Sequence, residues 1–436
     1  MSSFNAFPIG WHVKEIADAD ITIIDGDRGA NYPSKDEFAN EGYCLFLNTG
    51  NIKNDCFDFS SCDFITENKD ALLRKGKLRR KDVVLTTRGT VGSVGFFHNN
   101  ISYEHIRINS GMVVLRCAES VSPYYSYHLF KSPLLKTQYS LYSSGAAQPQ
   151  LPIKDLKRIK LPIPPLSVQE KIAAILSAYD ELIENNQRRI VLLEKIAEEI
   201  YCEWFVRLRF PGHDKVKVIK GVPEGWKLVK LEKAFDFTGG GTPTKEVSRY
   251  WDGGDVNWFT PSDITGANGI FLERSGNQCT EEGFNKSSAK MFPAYSVMLT
   301  SRATIGAVGI NLTPACTNQG FITCIPNAQY RLSYLYHWIK LAKPHFELLS
   351  GGATFAELTK GTFKKIEILT PPEKLVEKFD ELESPIFKAI ERYHRQNTKL
   401  IATRDLLLPR LISGKLSVEN LDIQFPPGME EVDHAV

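Results

Sequence analysis

The chain carries one long pattern twice. Val83 to Gly95, reading V-V-L-T-T-R-G-T-V-G-S-V-G, recurs 214 residues later as Val297 to Gly309, reading V-M-L-T-S-R-A-T-I-G-A-V-G. Other pairs keep the same order: Gly10-Trp11 with Gly225-Trp226, Asn109-Ser110-Gly111 with Asn318-Gln319-Gly320, and Tyr127-His128 with Tyr336-His337. Farther on, Ser144 to Pro165 matches Gly351 to Pro372 at an offset of 207. A repeat of about half the chain is a duplicated domain rather than a solenoid unit. A duplicated binder suits a target that itself has two parts.

The rest of the composition narrows the class. At 436 residues, 42% hydrophobic and 24% charged, the chain is an ordinary globular mixture long enough for two to four domains. No apolar run approaches the ~18 residues that cross a bilayer, and residues 1–10 lack a secretory-signal layout, so the protein is expected in the cytoplasm. The eight cysteines contain no C-x-x-C pair and suggest neither a disulfide framework nor a zinc knuckle. A net charge of +2 carries no global nucleic-acid signature, and local distribution has to decide.

Residues 1–160 and 208–370 read as two strand-rich α/β (α+β) domains, with strands expected in Gly42 to Ile52, Asp82 to Phe97 and Gly111 to Arg116. After each Pro-Pro a long helical pattern begins, over 161–207 and 371–420, and 421–436 reads as a flexible tail. Ser167 with Glu170 fits a capping box for the first helix, which would run roughly 60 Å. Its apolar residues step 3-4 through Ile172, Ile175, Tyr179, Leu182, Leu193, Ile196 and Ile200, with Asn186 and Arg189 as polar breaks. The second follows with Phe379, Leu382, Ile386, Ala389, Tyr393, Leu400 and Leu407. Two such stripes predict an antiparallel coiled coil, its second helix kinked or restarted at Ser384-Pro385.

The order of globular domain, Pro-Pro, long helix ending Trp204-Phe205-Val206, Gly-Trp entry with T-G-G-G-T-P-T, second domain and helix ending L-L-P-R-L-I-S-G-K-L resembles the specificity subunit of type I restriction-modification systems. The resemblance runs from about Gly10 to Leu416 and draws also on Tyr250-Trp251 and Asn257 to Ile264. It implies two target-recognition domains, each reading one half of a split, asymmetric DNA site, held by paired helices in an internal pseudo-twofold repeat. It further implies two methylation subunits and restriction subunits as partners. S-adenosylmethionine, ATP and magnesium are then expected on those partners, with none on this chain. Where the second domain has T-G-G-G-T-P-T, the first has D-G-D-R-G-A-N-Y-P-S, so the two would read different bases. Half-sites on one face of the duplex would lie about one helical turn, roughly 34 Å, apart, with helix length as the ruler.

A reader of duplex DNA needs cations for phosphates and amide, hydroxyl or guanidinium groups for base edges. In the first half the candidates are Arg28, Asn31, Tyr32, Asn48, Asn51, Arg79 and Arg80 in the basic run 74–81, Arg88, Thr90, Arg107 and Gln148. The second half offers Thr242, Thr244, Lys245, Arg249, Tyr250, Thr260, Ser262, Arg302, Thr304, Gln319 and Thr354. Arg88 and Arg302 stand at the same point of the duplicated motif, so they are either a pair of readers or a pair of structural arginines. Trp251, Trp258 and Tyr336 read as core aromatics.

Catalytic readings are weaker. Phe237 to Gly241 mimics an F-x-G-x-G cofactor turn, but no Asn or Asp precedes a Pro-Pro-aromatic motif, no G-x-x-x-x-G-K-[ST] loop exists, and no H-E-x-x-H or G-x-S-x-G occurs. The chain therefore reads as a non-enzymatic, sequence-specific DNA binder. The competing readings are a non-specific architectural binder and, more weakly, a methyltransferase.

Overall fold

The computed structural model describes residues 7–145, 149–267, 269–351 and 356–430. Its contacts divide the chain into two units that do not follow chain order: Met1–Glu184 with Thr398–Val436, and Asn185–Asn397. Both boundaries fall inside the long helices, Leu166–Tyr201 and Glu373–Ile412.

Unit 1 is built on a four-stranded antiparallel sheet in the order Ile21–Asp25, Met112–Cys117, Val83–Thr86, Val94–Phe96. Every residue of Val83–Thr86 is buried, the pattern of a strand covered on both faces. Val83, Leu85, Val113 and Leu115 join Tyr125, Phe130, Leu135 and Ile172 of the helices in one core. Val84 and Val114, on the opposite face, pack with Leu45, Leu47 and Ile106 of a smaller sheet ordered Phe64–Ile65, Cys44–Leu47, Ile106–Ile108, whose last pair is parallel. Fully burying each such Val, Leu or Phe side chain is worth about 1.5–3 kcal/mol.

Unit 2 repeats this plan. Its larger sheet runs Phe237–Gly239, Phe321–Cys324, Val297–Thr300, Val308–Asn311, with an added parallel edge strand Phe271–Leu272. The smaller sheet is Asn277–Cys279, Val256–Phe259, Ala315–Thr317, again with a parallel last pair. In each unit a further two-stranded ribbon ties the entry segment to the exit toward the helix: His12–Glu15 with Lys160–Ile163, and Lys227–Lys230 with Glu367–Thr370.

The helix segments pair antiparallel within each unit. In unit 2, Asn186 donates to Asn397 at 2.9 Å and Arg189 to the Tyr393 hydroxyl at 3.2 Å, while Tyr201 and Trp204 reach back to Phe379. In unit 1, Arg404 meets Asp180 at 2.7 Å. Three expectations need correction. The first helix starts at Leu166, so Ser167 lies within its first turn and does not cap it. The second passes Pro385 as one 40-residue element rather than restarting. The buried stripe steps 4-3 rather than 3-4: Leu176, Asn186, Ile190, Ala197, Glu383, Ile390 and Asn397 are buried, whereas Leu182, Ile196 and Leu382 are about half exposed. Among the described residues no helix is long and apolar enough to cross a membrane.

Candidate nucleic-acid interface

Each unit gathers the ends of its strands around one tight turn. In unit 1 the turn is Asn109-Ser110-Gly111, between the strands Ile106–Ile108 and Met112–Cys117. Asn109 N–H donates to the Leu47 carbonyl, and the Thr87 and Arg88 N–H groups donate to the Gly111 carbonyl. The Asn109 side chain accepts from Gly111 N–H at 2.9 Å, closing the turn on itself. Unit 2 builds the same thing from Asn318-Gln319-Gly320: Asn318 N–H donates to Phe259, Ser301 N–H to Gly320, and Gly320 N–H to the Asn318 side chain at 2.9 Å.

Two further devices stiffen the rim in both units. The strand Cys44–Leu47 runs into a capped turn in which Asn48 N–H donates to Asn51 at 2.9 Å; Val256–Phe259 runs into another in which Thr260 N–H donates to Asp263 at 2.6 Å. In the duplicated motif, Thr86 and Thr300 donate their hydroxyls to the carbonyls of Thr90 and Thr304 and accept from the N–H of Ser93 and Ala307. The loop after each motif strand is pinned at its base by a backbone bridge, Arg88 to Gln150 and Arg302 to Glu357.

The glycine that begins each rim is required by contact. A Cβ on Gly26 would lie 2.2 Å from the Asn109 carbonyl, and one on Gly240 would lie 1.9 Å from the Asn318 carbonyl. The T-G-G-G stretch is thus packed against backbone and the Lys360 side chain.

Around these turns stand many of the residues expected to read DNA. In unit 1, Arg28 is half exposed, donates to the Ser110 carbonyl at 3.3 Å and pairs with Asp25 at 3.2 Å. Tyr32 adjoins Ser110, packs edge-on against Phe46, and burial raises its phenol above the ordinary range. Asn31 reaches the Leu72 carbonyl, and Asn48 and Thr90 are exposed. Asp27 binds the N–H of Gly29 and of Arg74, at 2.9 and 2.7 Å, which hold its carboxyl below the usual range and draw the Arg74–Lys75 end of the basic run to this rim. In unit 2, the Thr242 hydroxyl donates to the Gln319 side-chain oxygen at 2.7 Å, Thr260 and Ser262 hydroxyls meet at 2.9 Å, and Arg302 pairs with Glu357 at 2.9 Å. Thr244, Lys245 and Thr304 are exposed, and Arg249 pairs with Glu282 beside the Tyr250 ring.

Several expectations are overturned by the chemistry of their surroundings. Arg107 is buried and spends its guanidinium on the Asp70 carboxylate at 2.5 Å and on the carbonyls of Asp70, Leu73 and Lys75. Arg80 binds the carbonyls of His98, Ile101 and Tyr103 and lies 4.2 Å over the Phe97 ring. Asn51 is buried and holds the carbonyls of Asp58 and Ser61. These three are structural. Arg79 sits with Asp82 before the strand Val83–Thr86, at the end away from Arg88. Gln148 and Thr354 fall outside the described residues. Trp258 and Tyr336 are core residues; the Trp251 ring packs on Trp258 and donates to the Thr244 carbonyl at 3.1 Å.

Sequence reading passed over Lys360, whose side chain crosses Gly239, and Lys136, which lines a cleft with Thr90, Ser140 and Ser143. Their only signal was position after the rim loops, beside Thr359 and within the helix Pro133–Tyr142. Lys360 offers a cation suited to phosphate, whereas the Lys136 ammonium is paired with Asp55 at 2.7 Å.

The family described as type I restriction modification DNA specificity domain matches residues 8–195 and again 223–405. The MjaIX specificity subunit of Methanocaldococcus jannaschii is 34% identical over 196 residues, 44% of this chain and 45% of that relative; the chain spans about half of it. The HindI specificity subunit of Haemophilus influenzae is 25% identical over 456 residues, 90% of this chain and 98% of that one. The crystal structure of the S subunit from M. genitalium covers 93% of this chain and 96% of its own, with a TM-score of 0.58 at 16% identity, and so shares the fold.

Proposed function

Because the chain belongs to the type I restriction modification DNA specificity family, we propose that each of its two units reads one half of a bipartite DNA site on behalf of methylation and restriction subunits. The observation that carries this reading is the rim built twice with one backbone plan and different side chains: Arg28 and Tyr32 around Ser110 in unit 1, Thr242 on Gln319 and Lys360 over Gly239 in unit 2. Identical frames with unlike readers suit two unlike half-sites. A non-specific binder has no use for the difference.

The division of labour follows from the residues. Rim hydroxyl, amide and guanidinium groups meet base edges, while Arg74, Lys75 and Lys360 stand where phosphates would pass. Methyl transfer and cleavage belong to partner chains, which would hold S-adenosylmethionine, ATP and magnesium. Co-expression with the methylation subunit of the same system in a host lacking DNA methylation, followed by mapping of modified adenines, tests the reading. One split motif with a fixed gap is the expected result. Binding without sequence preference and without a motif would sink it.

A further inference from the structure

Gln319 is an exposed rim side chain whose carboxamide is oriented by a neighbouring hydroxyl, because its oxygen accepts from Thr242. It is exposed at the tip of the turn, while its backbone is clamped on three sides. Asn318 N–H is held by Phe259, the Gly320 carbonyl by Ser301 N–H, and the Thr317 carbonyl by Gly241 N–H at 2.9 Å. The Pro261 ring packs on Gly320, and Gly240 presses against the Asn318 carbonyl. Asn318 itself is occupied with Gly320 N–H. A reading group on so fixed a support needs little ordering when it meets its target.

A free carboxamide offers one acceptor and one donor side by side, which is why Gln and Asn commonly pair with adenine, whose major-groove edge is an acceptor beside a donor. In this chain the Thr242 hydroxyl donates to the Gln319 oxygen at 2.7 Å. Outward, the side chain then presents its NH2 donors. Guanine shows two acceptors in the major groove and thymine one, whereas cytosine shows an amino donor and adenine an amino donor beside its acceptor.

We propose that Gln319, oriented by Thr242, is a specificity-determining residue of unit 2 that selects a keto base, guanine or thymine, at one position of that unit's half-site. This rests on the DNA-reading function above and adds the residue, the donor direction and the base class. Thr242 acts as the positioning residue. Its counterpart in unit 1 is absent: Ser110 replaces Gln319, and the nearest long side chain is Arg28.

The test uses the full chain in complex with its methylation subunits and duplexes carrying each of the four bases at every position of the mapped site. Wild type is expected to prefer a keto base at one unit-2 position by about tenfold or more. Gln319→Ala flattens that single position and leaves the unit-1 half-site unchanged, which also shows that the variant is folded. Gln319→Glu, which offers only acceptors, turns the preference there toward an amino base. Thr242→Val frees the carboxamide to rotate and admits adenine at the same position. A Gln319→Ala profile identical to wild type at every position overturns the proposal, as does a wild-type preference for adenine or cytosine at the position that this variant flattens. Failure of the underlying DNA-reading function would look different, because wild type itself would then show no preferred site.

Discussion

The two units seat a duplicated Tyr-His helix on a long helix, and they do so with opposite chemistry. In unit 1, His128 bonds the Ser177 hydroxyl at 3.1 Å, and the neighbouring Asp180 carboxylate is gripped by Lys131 and Arg404, both at 2.7 Å. In unit 2, His337 faces the fully buried Glu383 at 3.3 Å, and the offset of 207 puts Phe387, packed edge-on against the His337 ring, where unit 1 has Asp180. Burial alone would raise the Asp180 carboxyl, but Lys131 foremost, then Arg404, hold it well below the ordinary range. His128 is kept neutral by burial and lends no charge near pH 7. Burial of Glu383, with Asp380 nearby, pushes its carboxyl up to about 8 instead, and burial pushes His337 down to about 3. One seat is ionic and the other is neutral. Backbone topology survived duplication while the charge state of the seat did not.

The largest test of that contrast is Asp180→Asn, which leaves Lys131 and Arg404 facing each other without a carboxylate. A stability loss of about 3 kcal/mol is expected in unit 1. The sign with pH follows from the lowered carboxyl: the stabilisation is present above the unfolded value near 4 and is lost as pH falls below it, a slope the variant lacks. Denaturant melts between pH 3 and 7, followed at Trp11, the single tryptophan of unit 1, would show it. An unchanged melt would mean that the cations are solvated and the seat is not ionic.

Next in size are the matched glycines. Gly26→Ala and Gly240→Ala each drive a methyl into a backbone carbonyl, at 2.2 and 1.9 Å, so the turn must shift and each should cost about 2–3 kcal/mol. The informative result is the pattern: Gly26→Ala spoils only the half-site read by unit 1, and Gly240→Ala only that read by unit 2. Loss of both halves from either variant would break the picture of two independent rims.

Glu383→Gln should sharpen the comparison from the other side, with an effect that appears only as pH rises. A carboxyl raised to about 8 binds its proton more tightly in the folded chain than in the unfolded one. Its stabilisation is therefore full below the unfolded value near 4.3 and declines as pH rises through about 8. The glutamine variant keeps a neutral side chain and should gain relative stability at pH 8–9, with little change at pH 5. Five of the six tryptophans lie in unit 2, so their fluorescence reports this transition. A loss near pH 7 that fades as pH falls below about 4 would mean instead that Glu383 is ionised against a protonated His337.

The same contrast explains what could be read from sequence. The duplication, the long helices and the rim motif were legible because they leave residue-by-residue echoes. The helix seam was legible only in part: Asn186 was placed on it, but apolarity was otherwise the guide and the chain buries Glu383 and Asn397 while leaving Leu182, Ile196 and Leu382 half exposed. Each polar seam residue whose bond is seen meets a partner more than 40 residues away, as Glu383 does His337 and Asn186 does Asn397. Arg107 and Arg28 look alike in a sequence. What separates them is Asp70, 37 residues from Arg107, and no local pattern announces such a partner. Arg88 and Arg302 were recognisable as a pair because the motif around them is copied, including the threonines that hold its turn.

That copied motif contains one difference small enough to serve as the finest probe of the comparison. Gly89 sits at φ 71° and its counterpart Ala303 at φ 57°, both in the left-handed region that a Cβ disfavours. The fold therefore keeps the same turn in unit 2 although its residue is unsuited to it, held by Thr300, by the base-pinning bridge to Glu357 and by Ser301 N–H on Gly320. Ala303→Gly relieves the backbone but adds freedom to the unfolded chain, so the net gain should be no more than about 0.5 kcal/mol. Gly89→Ala imposes the same strain on unit 1 without the matching unfolded-state loss being enough to offset it, and should cost about 0.5–1 kcal/mol. Equal and opposite small shifts in the two units would mean that the turn is dictated by its hydrogen bonds and merely tolerates its residue. A large loss from Gly89→Ala alone would mean that only unit 2 has the supports to hold an alanine there.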